Sequence, residues 1–141
     1  MKLKVNVSAL VYPTEVLEKV ETAIKNLFPI ELVIQDFGIP RLCGEEDLES
    51  LRLLHRRLRE ERILDTARHV LLTEVEGNTT RFRLNKQVAF VGKVNFPAGE
   101  ESLGSVYVEI STGDKEDLLK TIDWLAPRTV EGKPVEETEL Q

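Results

Sequence analysis

A single cysteine, Cys43, two histidines and no uninterrupted apolar run near the length of a membrane span set the first limits on this chain. One thiol cannot form an intramolecular disulfide, and it has no second Cys for a CxxC metal or redox pair, so Cys43 reads as an inert core or loop residue. A membrane helix needs roughly 18 or more consecutive apolar residues. The opening Met1-Lys2-Leu3-Lys4-Val5-Asn6-Val7 alternates instead of forming the apolar block of a signal peptide, so a cytoplasmic protein is expected. The eight glycines build neither GxGxxG nor GxxxxGK[ST], which leaves a phosphate-cradling nucleotide loop unsupported. None of the five serines stands in GxSxG, and neither His belongs to HExxH or to an i, i+4 pair. No catalytic residue, cofactor or metal is therefore expected. The carboxylates Asp36, Asp65, Glu74, Glu76, Glu109 and Asp123 read as solvated faces, because no spacing forces two of them together.

What is present is enough for one domain: 141 residues, of which 41% are hydrophobic and 31% charged. The net charge of −6 argues against a phosphate-binding surface until its distribution is considered. Residues 41–93 hold 11 Lys and Arg against 9 Asp and Glu, whereas the remainder holds 8 against 16. An Arg-rich middle lies between acidic flanks.

Leu3, Val5, Val7, Ala9 and Val11 recur at every second position, the period of a strand with one buried face. Pro13 and Thr14 stop it, and Val16, Leu17, Val20, Ile24 and Leu27 repeat at helical spacing up to Pro29. Residues 30–37 read as a second strand closed by the breaker Gly38-Ile39-Pro40. A helix of about 17 residues is predicted from Glu45, with Leu48, Leu51, Leu54 and Leu58 on one side. Ile63, Ala67, Val70 and Leu71 continue it as a bent extension or as a separate helix, ending at Gly77-Asn78. Three β-type runs follow, Thr79–Leu84, Val88–Phe96 and Ser105–Ser111, and then a helix opened by Asp114 and ended by Pro127. The expected order is β-α-β-α-α-β-β-β-α: an α+β domain over residues 1–126, with helices on one face of a mainly antiparallel sheet, followed by a mobile acidic tail over 127–141.

Two basic clusters stand out. On a helix, Arg52, Arg56 and Arg59 fall at i, i+4 and i+7 and form a stripe that can follow a phosphate backbone. The plain alternative is that cations near a helix end offset its dipole and pair with Glu60 and Glu61. In the second, strand alternation places Arg81 and Arg83 on one face, and Asn85, Lys86, Gln87 and Lys93 lie in or near the following turn. Amide side chains there could read sugar or base edges, although Asn and Lys are also common turn residues. His55 and His69 read as packing or capping groups.

Tyr12-Pro13-Thr14-Glu15 leading into Lys19-Val20 and Asn26-Leu27-Phe28-Pro29, with the run Leu84-Asn85-Lys86-Gln87-Val88-Ala89-Phe90-Val91-Gly92, resembles a widespread archaeal family of small uncharacterised proteins generally described as RNA-binding. The resemblance covers most of residues 3–125. It implies a fold like that of the 5S-rRNA-binding ribosomal protein L-five, a homodimer and a link to the archaeal RNA-processing exosome. The family offers no catalytic residues, only Asn85, Lys86, Gln87 and Gly92 as motif positions. The expectation is thus a non-catalytic binder of structured RNA, of the rRNA or tRNA class. Arg52, Arg56, Arg59, Arg81, Arg83, Lys86 and Lys93 would contact phosphates, and Asn85 and Gln87 sugar or base edges. The rivals are a protein-interaction module, as a homodimer or an exosome-associated partner without RNA affinity, and, less favoured, an enzyme acting on nucleotides or RNA.

Overall fold

The computed structural model describes residues 2–99 and 101–140. Its central strand, β1 (Leu3–Leu10), follows the alternation of the sequence: Leu3, Val5, Val7 and Ala9 are buried, and Lys4, Asn6, Ser8 and Leu10 face the other way. The chain then forms α1 (Leu17–Lys25), β2 (Val33–Phe37), β3 (Ile39–Glu46), a 3-10 turn, α2 (Arg52–Glu60), α3 (Leu64–Thr73), β4 (Thr79–Leu84), α4 (Lys86–Phe90), β5 (Val106–Thr112) and α5 (Lys115–Leu125). A short hairpin, β6 (Thr129–Val130) and β7 (Lys133–Pro134), follows. Strands β1 to β5 make one sheet in the order β2-β3-β1-β5-β4, with every neighbouring pair antiparallel.

One hydrophobic cluster joins this sheet to the helices. Val5, Val7, Phe82, Val108 and Ile110 from the strands meet Ile24 of α1, Leu54 and Leu58 of α2, Ala67 and Leu71 of α3, Ala89 of α4 and Leu118 and Ile122 of α5. The protein is thus an α+β domain with its helices on one face of an antiparallel sheet, as the sequence suggests. Among the described residues, no helix is long and apolar enough to cross a membrane.

The element order departs from the expected one in three places. Gly38, at φ 105, is not the end of a strand but the tip of a hairpin, and Ile39 and Pro40 already belong to β3. Only Leu42 of β3 is buried, so the strand carries almost no periodic signal although it pairs on both sides. The helix expected from Glu45 starts later, because Asp47 Oδ1 accepts from the Glu49 N–H at 3.0 Å and caps the 3-10 turn at Leu48–Leu51. Arg62, at φ 57, ends that helical stretch, which makes α3 a separate helix.

The third departure is the expected strand Val88–Phe96. Asn85 Oδ1 accepts from the Val88 N–H at 2.8 Å and starts α4 instead. A cap thereby decides between helix and strand for an apolar run too short to show its period. Within residues 127–140, Glu131 and Gly132 both take positive φ, 52° and 79°, and close the β6–β7 hairpin.

Candidate nucleic-acid interface

The helices pack on one face of the sheet, and the opposite face is open except along its β4 edge, where α3 and residues 96–99 border it. Residues directly opposite one another on neighbouring strands share a face, so the pairing register defines this surface row by row. One row runs Arg83, Tyr107, Ser8, Cys43, Val33 across β4, β5, β1, β3 and β2. The adjoining row is Arg81, Glu109, Asn6, Glu45, and Leu10, Arg41 and Gln35 lie on the other side. Among the described residues of this face, Lys4, Arg41, Arg81 and Arg83 stand against Glu45 and Glu109, with Glu76, just before β4, 3.8 Å from Arg81, which leaves a small local excess of positive charge in a chain whose net charge is −6. Arg81 donates to Glu109 at 2.8 Å, Arg83 Nη1 donates to the Gly99 carbonyl at 2.9 Å, and Lys4 stands 3.6 Å from Glu45. Arg41 has no ion-pair partner among the described residues.

The Arg stripe of α2 lies in the helical layer, away from Arg81 and Arg83 on the open face, whereas Lys93 of the second cluster lies near the end of α2, since the neighbouring Val94 N–H donates to Glu61 at 3.0 Å. Its members are already engaged. Arg52 Nε donates to Glu49 at 2.7 Å and lies 5.7 Å from the centre of the Trp124 ring. Arg56 stands 3.7 Å from Glu60, an exposed pair of the kind that contributes at most about 1 kcal/mol. Arg59 is 19% exposed. Its Nη1 donates to the carbonyls of His55 and Leu125 at 2.9 and 3.0 Å and its Nη2 to that of Trp124 at 3.1 Å, while Nε and Nη2 grip Glu137 at 2.9 and 2.6 Å. The plain alternative of a dipole-offsetting cation holds here in a modified form, since Arg59 serves chiefly the C-terminal carbonyls of α5.

These contacts set the ionisation of the neighbourhood. The hydrogen bond from Arg59 holds the Glu137 carboxyl below the usual glutamate range, and the one from Arg52 does the same for Glu49. His55, whose ring stacks on Trp124 at 4.5 Å between centroids, is pushed below the ordinary histidine value by burial first and then by Arg59 and Arg52, against the pull of Glu137 and Glu139.

The turn residues separate in the same way. Lys86 is buried, and its Nζ donates to the carbonyls of Leu10 and Leu103 at 2.8 and 2.6 Å and to Glu15 at 2.9 Å, with the Tyr12 ring 5.3 Å away. Three donors are thereby fully used, which leaves none for a phosphate. Asn85 caps α4 and donates to Glu101 at 2.8 Å. Asn26 Nδ2 donates to the Ala89 and Phe90 carbonyls at the other end of that helix. Tyr12 to Glu15, Asn26 and Leu84 to Gly92, distant in sequence, therefore meet around α4. Gln87 is exposed, as is Lys93, which has no ion-pair partner among the described residues.

Sequence reasoning missed Tyr107, 36% exposed in the middle of the bare face, together with Lys4 and Arg41. Alternation within Ser105–Ser111 puts Tyr107 out of phase with Val106 and Val108, but nothing in that run says whether its outer side is covered. Among the described residues, no group of three or more His, Cys, Asp or Glu side chains could hold a metal ion.

The architecture and its bare, cation-bearing sheet can be compared with known proteins. The profile of a family described as RNA binding matches residues 4–113. UPF0201 proteins of Methanosarcina acetivorans and Sulfolobus acidocaldarius are 42% and 40% identical, over 98% and 97% of this chain and 93% and 96% of their own. The crystal structure of a UPF0201 protein from Methanococcus jannaschii superposes with a TM-score of 0.85 at 38% identity, covering 94% of this chain and 99% of that one. The chain belongs to this RNA-binding family, whose relatives named here are the archaeal UPF0201 proteins.

Proposed function

We propose that the protein binds structured RNA without catalysing a reaction on it, and that the bare sheet face is the contact surface. The observation that carries this reading is the small excess of cations on that face, Lys4, Arg41, Arg81 and Arg83 against Glu45, Glu109 and the neighbouring Glu76, in an acidic chain that belongs to a family described as RNA binding. Arg is suited to bidentate phosphate contact, and an exposed aromatic among such cations suits an unstacked base. From the sequence-derived set, Arg81 and Arg83 fit this surface. Arg52 and Arg56, with Gln87 and Lys93, are secondary candidates elsewhere on the molecule, and Arg59, Lys86 and Asn85 serve the fold. A place in RNA processing, through a homodimer or a larger complex, belongs to the same proposal.

Fluorescence anisotropy against 5S rRNA, tRNA and an unstructured control across a salt series tests it. Saturable binding is expected, with log affinity falling against log salt by roughly 0.7–0.9 for each phosphate neutralised and several phosphates involved. Absence of binding at low salt overturns it.

One observation favours a second reading, a protein-interaction module. The edge strand β2 exposes Val33, Ile34 and Phe37, the last at 91%, and edge strands rich in apolar residues recruit other strands. A stable dimer by light scattering together with no RNA affinity would support it.

A further inference from the structure

A groove of about 1020 Å³ follows β4, lined by Arg81 and Arg83 of that strand, Tyr107 and Glu109 of β5, Ser8 of β1 and His69 of α3. Its volume lies at the top of the roughly 300–1,000 Å³ usual for small-ligand sites, so a nucleotide fits within it. Arg83, Tyr107 and Ser8 are directly opposite one another on adjacent strands, whose spacing is about 4.8 Å. A flat ring laid on Tyr107 therefore has a guanidinium on one side and a hydroxyl on the other, within the width of one base. Glu109, which holds Arg81, reduces the local positive charge. Attraction for phosphate alone is consequently weak at this spot, and stacking on the aromatic ring must supply the selectivity.

We propose that this groove seats an unpaired nucleotide of an RNA loop or bulge, its base against Tyr107 and its backbone along Arg81 and Arg83. The proposal rests on the RNA-binding reading above and deepens it: the part of a structured RNA that is recognised is its unpaired part. An A-form duplex keeps its bases stacked inside and offers only its phosphates and minor-groove edge, so it cannot fill a groove with an aromatic in it.

The test is fluorescence anisotropy with a labelled hairpin carrying a long loop and with a blunt duplex of the same stem, at one low salt concentration. The hairpin carries 2-aminopurine in its loop to report stacking. The hairpin is expected to bind at least about tenfold more tightly than the duplex, with a change in 2-aminopurine fluorescence on binding. Tyr107→Ala should lower hairpin affinity by roughly tenfold, the loss typical of one stacked base, and Tyr107→Phe should retain it. Because Phe preserves the ring and the strand, its retention separates stacking from damage to the fold, and thermal unfolding of both variants checks the same point. Equal affinity for hairpin and duplex, or an unchanged hairpin affinity in Tyr107→Ala, overturns the groove proposal while leaving RNA binding in place. No affinity for either RNA overturns the underlying reading and the groove with it.

Discussion

Lys86 and Glu15 form an ion pair of 2.9 Å between side chains only 7% and 12% exposed, joining the start of α4 to the turn before α1. The pair sits where the backbone needs it: Lys86 also satisfies two carbonyls, and Glu15 accepts from the Tyr12 N–H at 3.1 Å. Removing one member of a buried pair strands the other, at a cost of about 3–5 kcal/mol. Glu15→Gln and Lys86→Met are each expected to lower stability by about 3 kcal/mol in urea unfolding, and the double variant by clearly less than the sum. Additive losses would show that the two side chains act independently.

Arg59 is expected to behave as a structural residue. Arg59→Ala leaves the Trp124 and Leu125 carbonyls without their donor and frees Glu137, so a loss of about 2–3 kcal/mol is expected, within the range for hydrogen bonds to charged groups. Hydrogen exchange should rise over residues 128–140 in that variant. Unchanged exchange there would mean that the Glu137 contact does not hold the segment in solution.

His55 gives the protein an acid limit. Its folded pKa is depressed, so the folded state binds fewer protons than the unfolded chain as pH falls past the ordinary histidine value of about 6.5. The stability it contributes is whole above that value and is lost as pH falls through the folded pKa. Glu137, also depressed, adds a second loss below the usual glutamate range. Urea unfolding between pH 4 and 8, followed by the fluorescence of Trp124, should show stability flat above pH ~6.5 and declining below it. His55→Gln should remove the upper part of that decline; an identical profile would assign it elsewhere.

At Gly44 the limit is space. A Cβ there would lie 2.3 Å from the Glu31 carbonyl oxygen, a backbone atom that cannot swing away. Gly44→Ala is expected to cost about 1–3 kcal/mol, the range for overpacking, and to do so without altering the open face of the sheet. A melting temperature equal to that of the parent would show that the Glu31 segment yields.

How much of this was legible in the sequence varies with how strongly burial imprints a period on each segment. β1 and β5 alternate because a full row of their side chains enters the core, and α1 and α5 repeat at helical spacing for the same reason. β3 buries Leu42 alone and was invisible, although its backbone is as well paired as that of β1. The strand expected at Val88–Phe96 went wrong because one side-chain oxygen, on Asn85, outweighs the β propensity of a few apolar residues. For the candidate site, the local phase of Arg81 and Arg83 was readable. The engagement of Arg59 with residues 65 and 66 positions away, and the burial of Lys86 against Leu10 and Glu15, depend on long-range closure that no local pattern records.

The one-sided covering of the sheet divides labour within single strands. Val106, Val108 and Ile110 hold the molecule together, while Tyr107, Glu109 and Ser111, interleaved with them, contribute little to cohesion. The outward positions can therefore be rewritten almost independently of folding. Such a scaffold allows every second residue of a strand to change without renegotiating the core.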